Sequence, residues 1–189
     1  MSGQRLVSDL GNLFVAGSVG AVVLVWTGLR LNRLVAATFG VAFVGVVLAA
    51  AGLKLVSRHY LAEPGLTSTL MLSRGAPSGH AAITTLVYGC AAVIFLRAGK
   101  GGLAALGFLG ALVAIAGVGI TRVTLQAHTL SDVLCGLMLG LLGVWAFSRA
   151  LKAQVGDRKV AILGLGLAMA AAALLALLSG LRISSDQFL

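Results

Sequence analysis

The sequence predicts an all-α protein: an integral membrane bundle of six transmembrane helices, with residues 1–189 forming one membrane-embedded domain. Three observations predict it. Charged residues are only 10% of the chain and apolar ones 59%, whereas a soluble domain carries about 25% charge to keep its surface solvated. The mean hydropathy is +1.06. The charges are also segregated, leaving six stretches of about 18–22 residues without Lys, Arg or Glu. At about 1.5 Å per residue, each is long enough to cross a hydrocarbon core about 30 Å thick.

The first span, 10–28, follows Arg5 and Asp9. It is longer than the apolar core of a secretory signal, and Val25-Trp26-Thr27-Gly28 is a poor small-residue cleavage site, so it reads as a true span. The second, 34–53, runs into Lys54. The third, 78–96, opens on Pro77-Ser78, where proline fixes the approach and serine is a good N-cap. The fourth, 103–121, ends at Arg122, and the fifth, 131–148, opens with Asp132. The fifth also carries Gly136 and Gly140 at the spacing of a close helix contact, made either within the chain or between two copies in a homo-oligomer. The sixth span is 160–181. Cys90 and Cys135 fall inside spans and read as side chains that fill space, not as a disulfide or a metal pair.

The formal net charge of +9 does not point to nucleic acid, because the cations sit in short loops between apolar spans and form no basic stripe. Their distribution bears on orientation instead. Eight Lys and Arg residues lie in the first-to-second, third-to-fourth and fifth-to-sixth loops, and six lie on the other side. Four of those six (Lys54, Arg58, Arg74 and Arg122) belong to polar clusters where a cation serves chemistry. With these set aside, the count is eight against two, and the positive-inside rule puts both termini and both polar clusters outside the cytoplasm.

Ionisable groups at membrane depth are costly and mark functional sites. Here His59, His80 and His128 all fall in or beside the second-to-third and fourth-to-fifth connections, which lie on one side by parity. The first cluster is Ser73-Arg74-Gly75-Ala76-Pro77-Ser78-Gly79-His80, leading into a helix whose free N–H groups form an anion site. The second runs from Thr121-Arg122 to His128 and Asp132. Four residues apart, His128 and Asp132 would share a helix face, where a carboxylate fixes the imidazole tautomer and raises the basicity of its other nitrogen. Such an imidazole acts as nucleophile or base, and Arg122 offers a fork of donors suited to phosphate. Singly, each has a plainer reading: a capping histidine, helix support, a snorkelling arginine. Grouped on one side of the membrane, they point to chemistry.

Pro77-Ser78-Gly79-His80, followed by Arg122, by His128 six residues on and by Asp132 four later, resembles the type 2 phosphatidic acid phosphatase (lipid phosphate phosphatase) superfamily, and its bacterial-type integral membrane members in particular. The family pattern is KxxxxxxRP, PSGH and SRxxxxxHxxxD. The second and third blocks match in order and spacing, with Thr121 in place of serine. The first departs: Lys54 is present, but Leu61 and Ala62 stand where Arg-Pro is expected. Arg58 and Arg74 are the nearby candidates for the missing cation.

The resemblance implies a metal-independent phosphatase with no cofactor, acting through a phosphohistidine. His128 would be the nucleophile, oriented by Asp132, and His80 the acid that protonates the leaving oxygen. Lys54, Arg122 and the Ser78–Gly79 backbone would cradle the phosphate. A site at the bilayer surface suits a lipid phosphate or polyprenyl (di)phosphate in the inner or plasma membrane, on its extracytoplasmic side. Two alternatives remain: a phosphotransferase that passes the phosphoryl group to an alcohol, and a lipid-phosphate binder or transporter impaired in turnover.

Overall fold

The computed structural model describes residues 3–60, 72–73, 75–97, 101–155, 162 and 164–180. Among these it is all-helical. In chain order the helices are α1 (Gly3–Asp9), α2 (Leu13–Arg30), α3 (Arg33–Tyr60), α4 (Gly79–Arg97), α5 (Gly102–Thr124), α6 (Leu130–Val155) and α7 (Leu165–Leu178). Helices α2 to α6 are long and apolar enough to cross a membrane. The last expected span, 160–181, appears among the described residues as the shorter apolar α7, flanked by Gly164 and Gly180 at positive φ, a backbone state that favours glycine and interrupts a helix.

Polar side chains set the helix starts. Asn12 Oδ1 accepts from Phe14 N at 2.9 Å and Asn32 Oδ1 from Leu34 N at 2.7 Å, capping α2 and α3. Both α3 and α6 outrun the expected spans of 34–53 and 131–148 by about two turns. Charge marks where hydrocarbon ends, but Lys and Arg are good helix formers and do not stop a helix. The polar end of α3, with Lys54, Ser57, Arg58 and His59, therefore remains helical.

Helix α4 is the hub: 89% of its span is buried, against 28–39% in the other four. It packs on α2, α3, α5 and α6, while α1 lies along α5 and α7 along α2. The outer helices present Leu106, Val113 and Leu142 outward, as hydrocarbon solvent requires. Two buried hydroxyls turn back on their own helices: Thr85 Oγ1 donates to Ala81 O at 2.7 Å and Thr27 Oγ1 to Val23 O at 2.8 Å.

Glycines close the α4–α6 seam. A Cβ at Gly136 would fall on Ser78 O, one at Gly140 would lie 2.5 Å from Ala82 O, and one at Gly143 would lie 2.5 Å from Leu86 Cδ1. The small-residue stripe thus serves a contact within the chain. Of the two cysteines, Cys90 is buried in α4 and Cys135 is exposed on α6.

Gly140→Ala should lower stability by about 1–3 kcal/mol, because the added carbon meets backbone that cannot move aside. Gly110→Ala meets nothing within 4 Å and should gain up to about 1 kcal/mol of helix propensity. Thermal unfolding in detergent checks both signs.

Candidate active site

Four helix ends and the turn before α2 converge at one end of the bundle. Ser57 Oγ, on the last turns of α3, donates to Ala76 O at 2.9 Å and so ties that helix to the loop ahead of α4. Ser78 N donates to Asp132 O at 2.9 Å, joining the start of α4 to the start of α6. Gly11 packs so tightly that a Cβ there would sit 2.7 Å from Thr84 Oγ1 and 3.1 Å from His80 Cβ. The expected gathering of the two polar clusters at one end is present.

Ser78 caps α4 through its hydroxyl, which accepts from Ala81 N at 3.4 Å, and Gly79 and His80 form the buried first turn. Lys54, on the last turns of α3, is 1% exposed. A buried cationic side chain needs acceptors around it, so this end of α3 is polar inside the bundle.

The end of α5 is built to deliver His128. Gln126 adopts a left-handed conformation at φ 54°. Its N–H donates to Val123 O at 2.9 Å and that of Ala127 to Arg122 O at 3.1 Å, forming a Schellman stop. The N–H of His128 also donates to Arg122 O at 3.1 Å. The spacing of six residues between Arg122 and His128 is thereby a folded turn with both ends joined. Arg122 Nη1 donates to Ser8 Oγ of α1 at 3.1 Å.

One expectation is corrected here. His128 and Asp132 do not share a helix, because α6 begins at Leu130 and His128 lies in the preceding turn. Thr129 is the N-cap: Asp132 N donates to Thr129 Oγ1 at 3.2 Å and Thr129 N donates to Asp132 Oδ2 at 2.9 Å, a capping box with aspartate in the acidic position. The imidazole still faces the carboxylate, with Nδ1 3.5 Å from Oδ2 and the two side chains 5% and 0% exposed. Asp132 also accepts from Ser73 N at 2.9 Å and Ser73 Oγ at 2.6 Å. Gly75 lies against the same edge of the ring, where a Cβ would be 3.6 Å from His128 Cε1 and 3.9 Å from Nδ1.

The structure therefore places Lys54, Ser78, Gly79, His80, Arg122, His128 and Asp132 at one end of the bundle. Arg58 is exposed on the last turn of α3, one turn beyond buried Lys54, and Arg74 lies outside the described residues, as do Leu61 and Ala62. Sequence reasoning missed Ser8, Gly11 and Ser57, and placed Ser73, Gly75 and Thr129 in the polar clusters without giving them a role. Only Thr129 carried a signal, the Thr-x-x-Asp pattern of a capping box. The others act across long sequence separations.

A family model described as the PAP2 superfamily matches residues 57–155, just over half of the chain. The match covers the loop to α4 and all of α4, α5 and α6, and begins three residues after Lys54. No curated protein and no solved structure matches the chain.

Asp132→Asn should cost about 1–3 kcal/mol of stability. The amide presents a donor toward groups that themselves donate, leaving buried polar atoms unsatisfied. Ser73→Ala removes one of these bonds and should cost about 1 kcal/mol. Urea or thermal unfolding of the purified protein ranks the two; equal costs would mean that Ser73, not Asp132, anchors the loop.

Proposed function

The chain belongs to the PAP2 superfamily, a family of phosphatases acting on phosphate esters, and on that premise we propose that it hydrolyses a membrane lipid phosphate or polyprenyl (di)phosphate through a phosphohistidine, without a metal or other cofactor. The observation that carries the reading is the buried His128–Asp132 pair at 3.5 Å, joined through the backbone to Arg122.

Asp132 faces Nδ1, so Nε2 of His128 is the nucleophile. It attacks phosphorus, forming an N–P bond as the ester P–O bond breaks, and the proton of His80 goes to the departing alkoxide. The carboxylate stabilises the positive charge gained by the imidazole. Water then attacks phosphorus, His80 takes its proton, and the N–P bond breaks to release phosphate and free His128. Charge on the transferring group spreads over three oxygens. Lys54, Arg122 and the N–H groups at the Ser78–Gly79 helix start supply donors for them. A third cation comes from Arg58 or Arg74, standing in for the arginine that Leu61 replaces.

The site belongs on the extracytoplasmic face of the membrane. Support for this is the count of eight cations against two outside the polar clusters, and the convergence of the clusters at one end of the bundle. The bilayer is then both solvent and substrate reservoir.

Phosphate release in EDTA from a panel of lipid phosphates tests the chemistry. His128→Ala should lose about a thousandfold or more in rate together with any acid-labile phosphoenzyme, and His80→Ala should lose about a hundredfold or more. In the same assay, alanine at whichever of Arg58 and Arg74 holds the phosphate should cost about 3 kcal/mol of transition-state stabilisation, and alanine at the other should cost little. A His128→Ala protein that turns over at a substantial fraction of the wild-type rate would falsify the mechanism. New phosphoester in the presence of an acceptor alcohol would favour the transferase.

Sidedness has its own test. With Cys90 and Cys135 replaced, Thr67→Cys should react with a membrane-impermeant thiol reagent in intact cells and Gly156→Cys should not. The reverse pattern puts the site in the cytoplasm.

A further inference from the structure

The short helix α1 lies along α5 at the polar end of the bundle. Of its seven residues, Ser8 alone is buried, at 5% exposure. An apolar contact by itself would bury Leu6, which is 45% exposed. The choice of a hydroxyl follows from its partner: Ser8 Oγ accepts from Arg122 Nη1 at 3.1 Å, across 114 residues of sequence.

That bond holds the far end of a side chain whose near end is already fixed. Arg122 O accepts from the N–H groups of Ala127 and His128, both at 3.1 Å, so its backbone is tied to the turn that carries His128. The guanidinium is tied to α1. It has five N–H donors, and Ser8 takes one. Ser8 is itself well anchored. Gly11 N donates to Ser8 O at 3.0 Å and Asn12 N to Asp9 O at 3.0 Å, and Asn12 then caps α2. Gly11 sits in a slot between α4 and α5, where a Cβ would lie 2.7 Å from both Thr84 Oγ1 and Val118 Cγ1 and 3.1 Å from His80 Cβ. Val7 fills the space over Gly117, whose Cβ would be 2.9 Å from Val7 Cγ1. One turn of chain thus touches the helix that carries His80 and the helix that carries Arg122.

We propose that Ser8 is a positioning residue of the phosphate site: it holds the guanidinium of Arg122 in one orientation, so that α1 completes the cradle from outside the matched segment 57–155. The inference rests on the phosphatase reading above and deepens it. Ser8 acts through Arg122 and not on the substrate itself. An arginine has a long, rotamer-rich side chain, and ordering it costs entropy. A bond made before the substrate arrives meets that cost in advance. A donor misplaced by about 1 Å can cost a hundredfold in rate, so the orientation matters as much as the charge.

The test measures kcat and KM for phosphatidate or farnesyl diphosphate in mixed micelles, whichever the wild type turns over faster, and the inhibition constant of orthovanadate, using full-length protein in detergent. Ser8→Ala should raise KM and the vanadate constant by about fivefold or more, whereas Gln4→Ala, exposed on the same helix, should leave both within about twofold. Ser8→Thr keeps an acceptor and should restore both constants. A mere loss of folded protein would instead lower kcat alone. In an Arg122→Ala background, Ser8→Ala should add nothing, because the two residues act as one unit. Calorimetric binding of vanadate reads this comparison where turnover is too slow to follow. Ser8→Cys, of nearly the same shape but a weak acceptor, replaces Ser8→Ala if that protein does not fold. Constants that do not change in Ser8→Ala, or that change by the same factor with and without Arg122, would overturn the positioning role and leave the phosphatase reading intact. Release of phosphate from neither substrate by the wild type would sink both.

Discussion

The polar end of this molecule depends on one buried carboxylate. Asp132 is 0% exposed and would be costly there as a bare charge. Its oxygens instead accept from Ser73 N, Ser73 Oγ and Thr129 N. Those bonds do two jobs at once. They start α6 in the right place, and they clamp the 72–78 loop against it across 59 residues of sequence. His128 then has no independent freedom: its N–H is held by Arg122 O, its ring faces Asp132, and Gly75 of the clamped loop closes over the ring edge. The group proposed to orient a nucleophile is therefore also a structural keystone, so loss of activity on its removal would not by itself reveal a chemical role.

That clamp needs the helix starts of α4 and α6 to lie side by side, which is the work of the glycine seam. Gly136, Gly140 and Gly143 allow α6 to ride directly on α4, bringing Asp132 O within 2.9 Å of Ser78 N. No hydrophobic force favours helix association within lipid, so close van der Waals contact and a few polar links must supply it. The same preference leaves α5 and α6 apart. Each spends its contact surface on the central helix instead of on the other.

The legible part of this structure was what one-dimensional patterning controls. Charge gaps located α2 to α6, and parity put the two polar clusters at one end. His80 in the first turn of α4 and Ser78 as its cap followed from Pro-Ser-Gly-His. The i, i+4 spacing of His128 and Asp132 suggested a shared helix, and that was wrong for an identifiable reason. Gln126 in a left-handed conformation ends α5, and Thr129 starts α6 only after His128. Nothing local distinguishes a pair four apart on a helix from a pair four apart across its cap. The bonds of Ser73 to Asp132 and of Ser8 to Arg122 were not legible, since the partners lie 59 and 114 residues apart.

The match to the PAP2 superfamily begins at Ser57, which divides the site by origin. The residues proposed as acid, nucleophile and orienting carboxylate, His80, His128 and Asp132, lie inside the matched region, as do Ser78, Gly79 and Arg122. Lys54 lies just outside it, as do the N-terminal contacts that hold Arg122 by Ser8 and brace His80 by Gly11. The departure at Leu61 falls inside the match, yet it too concerns a cation, not a proton carrier or a nucleophile. A histidine nucleophile and a histidine acid must be held within tenths of an ångström to work. A phosphate with three oxygens can take its positive charge from several directions at moderate cost in geometry. Variation is therefore more easily tolerated among the cations of the proposed cradle than in the proposed reacting pair, and of the cradle residues Lys54 lies outside the matched segment.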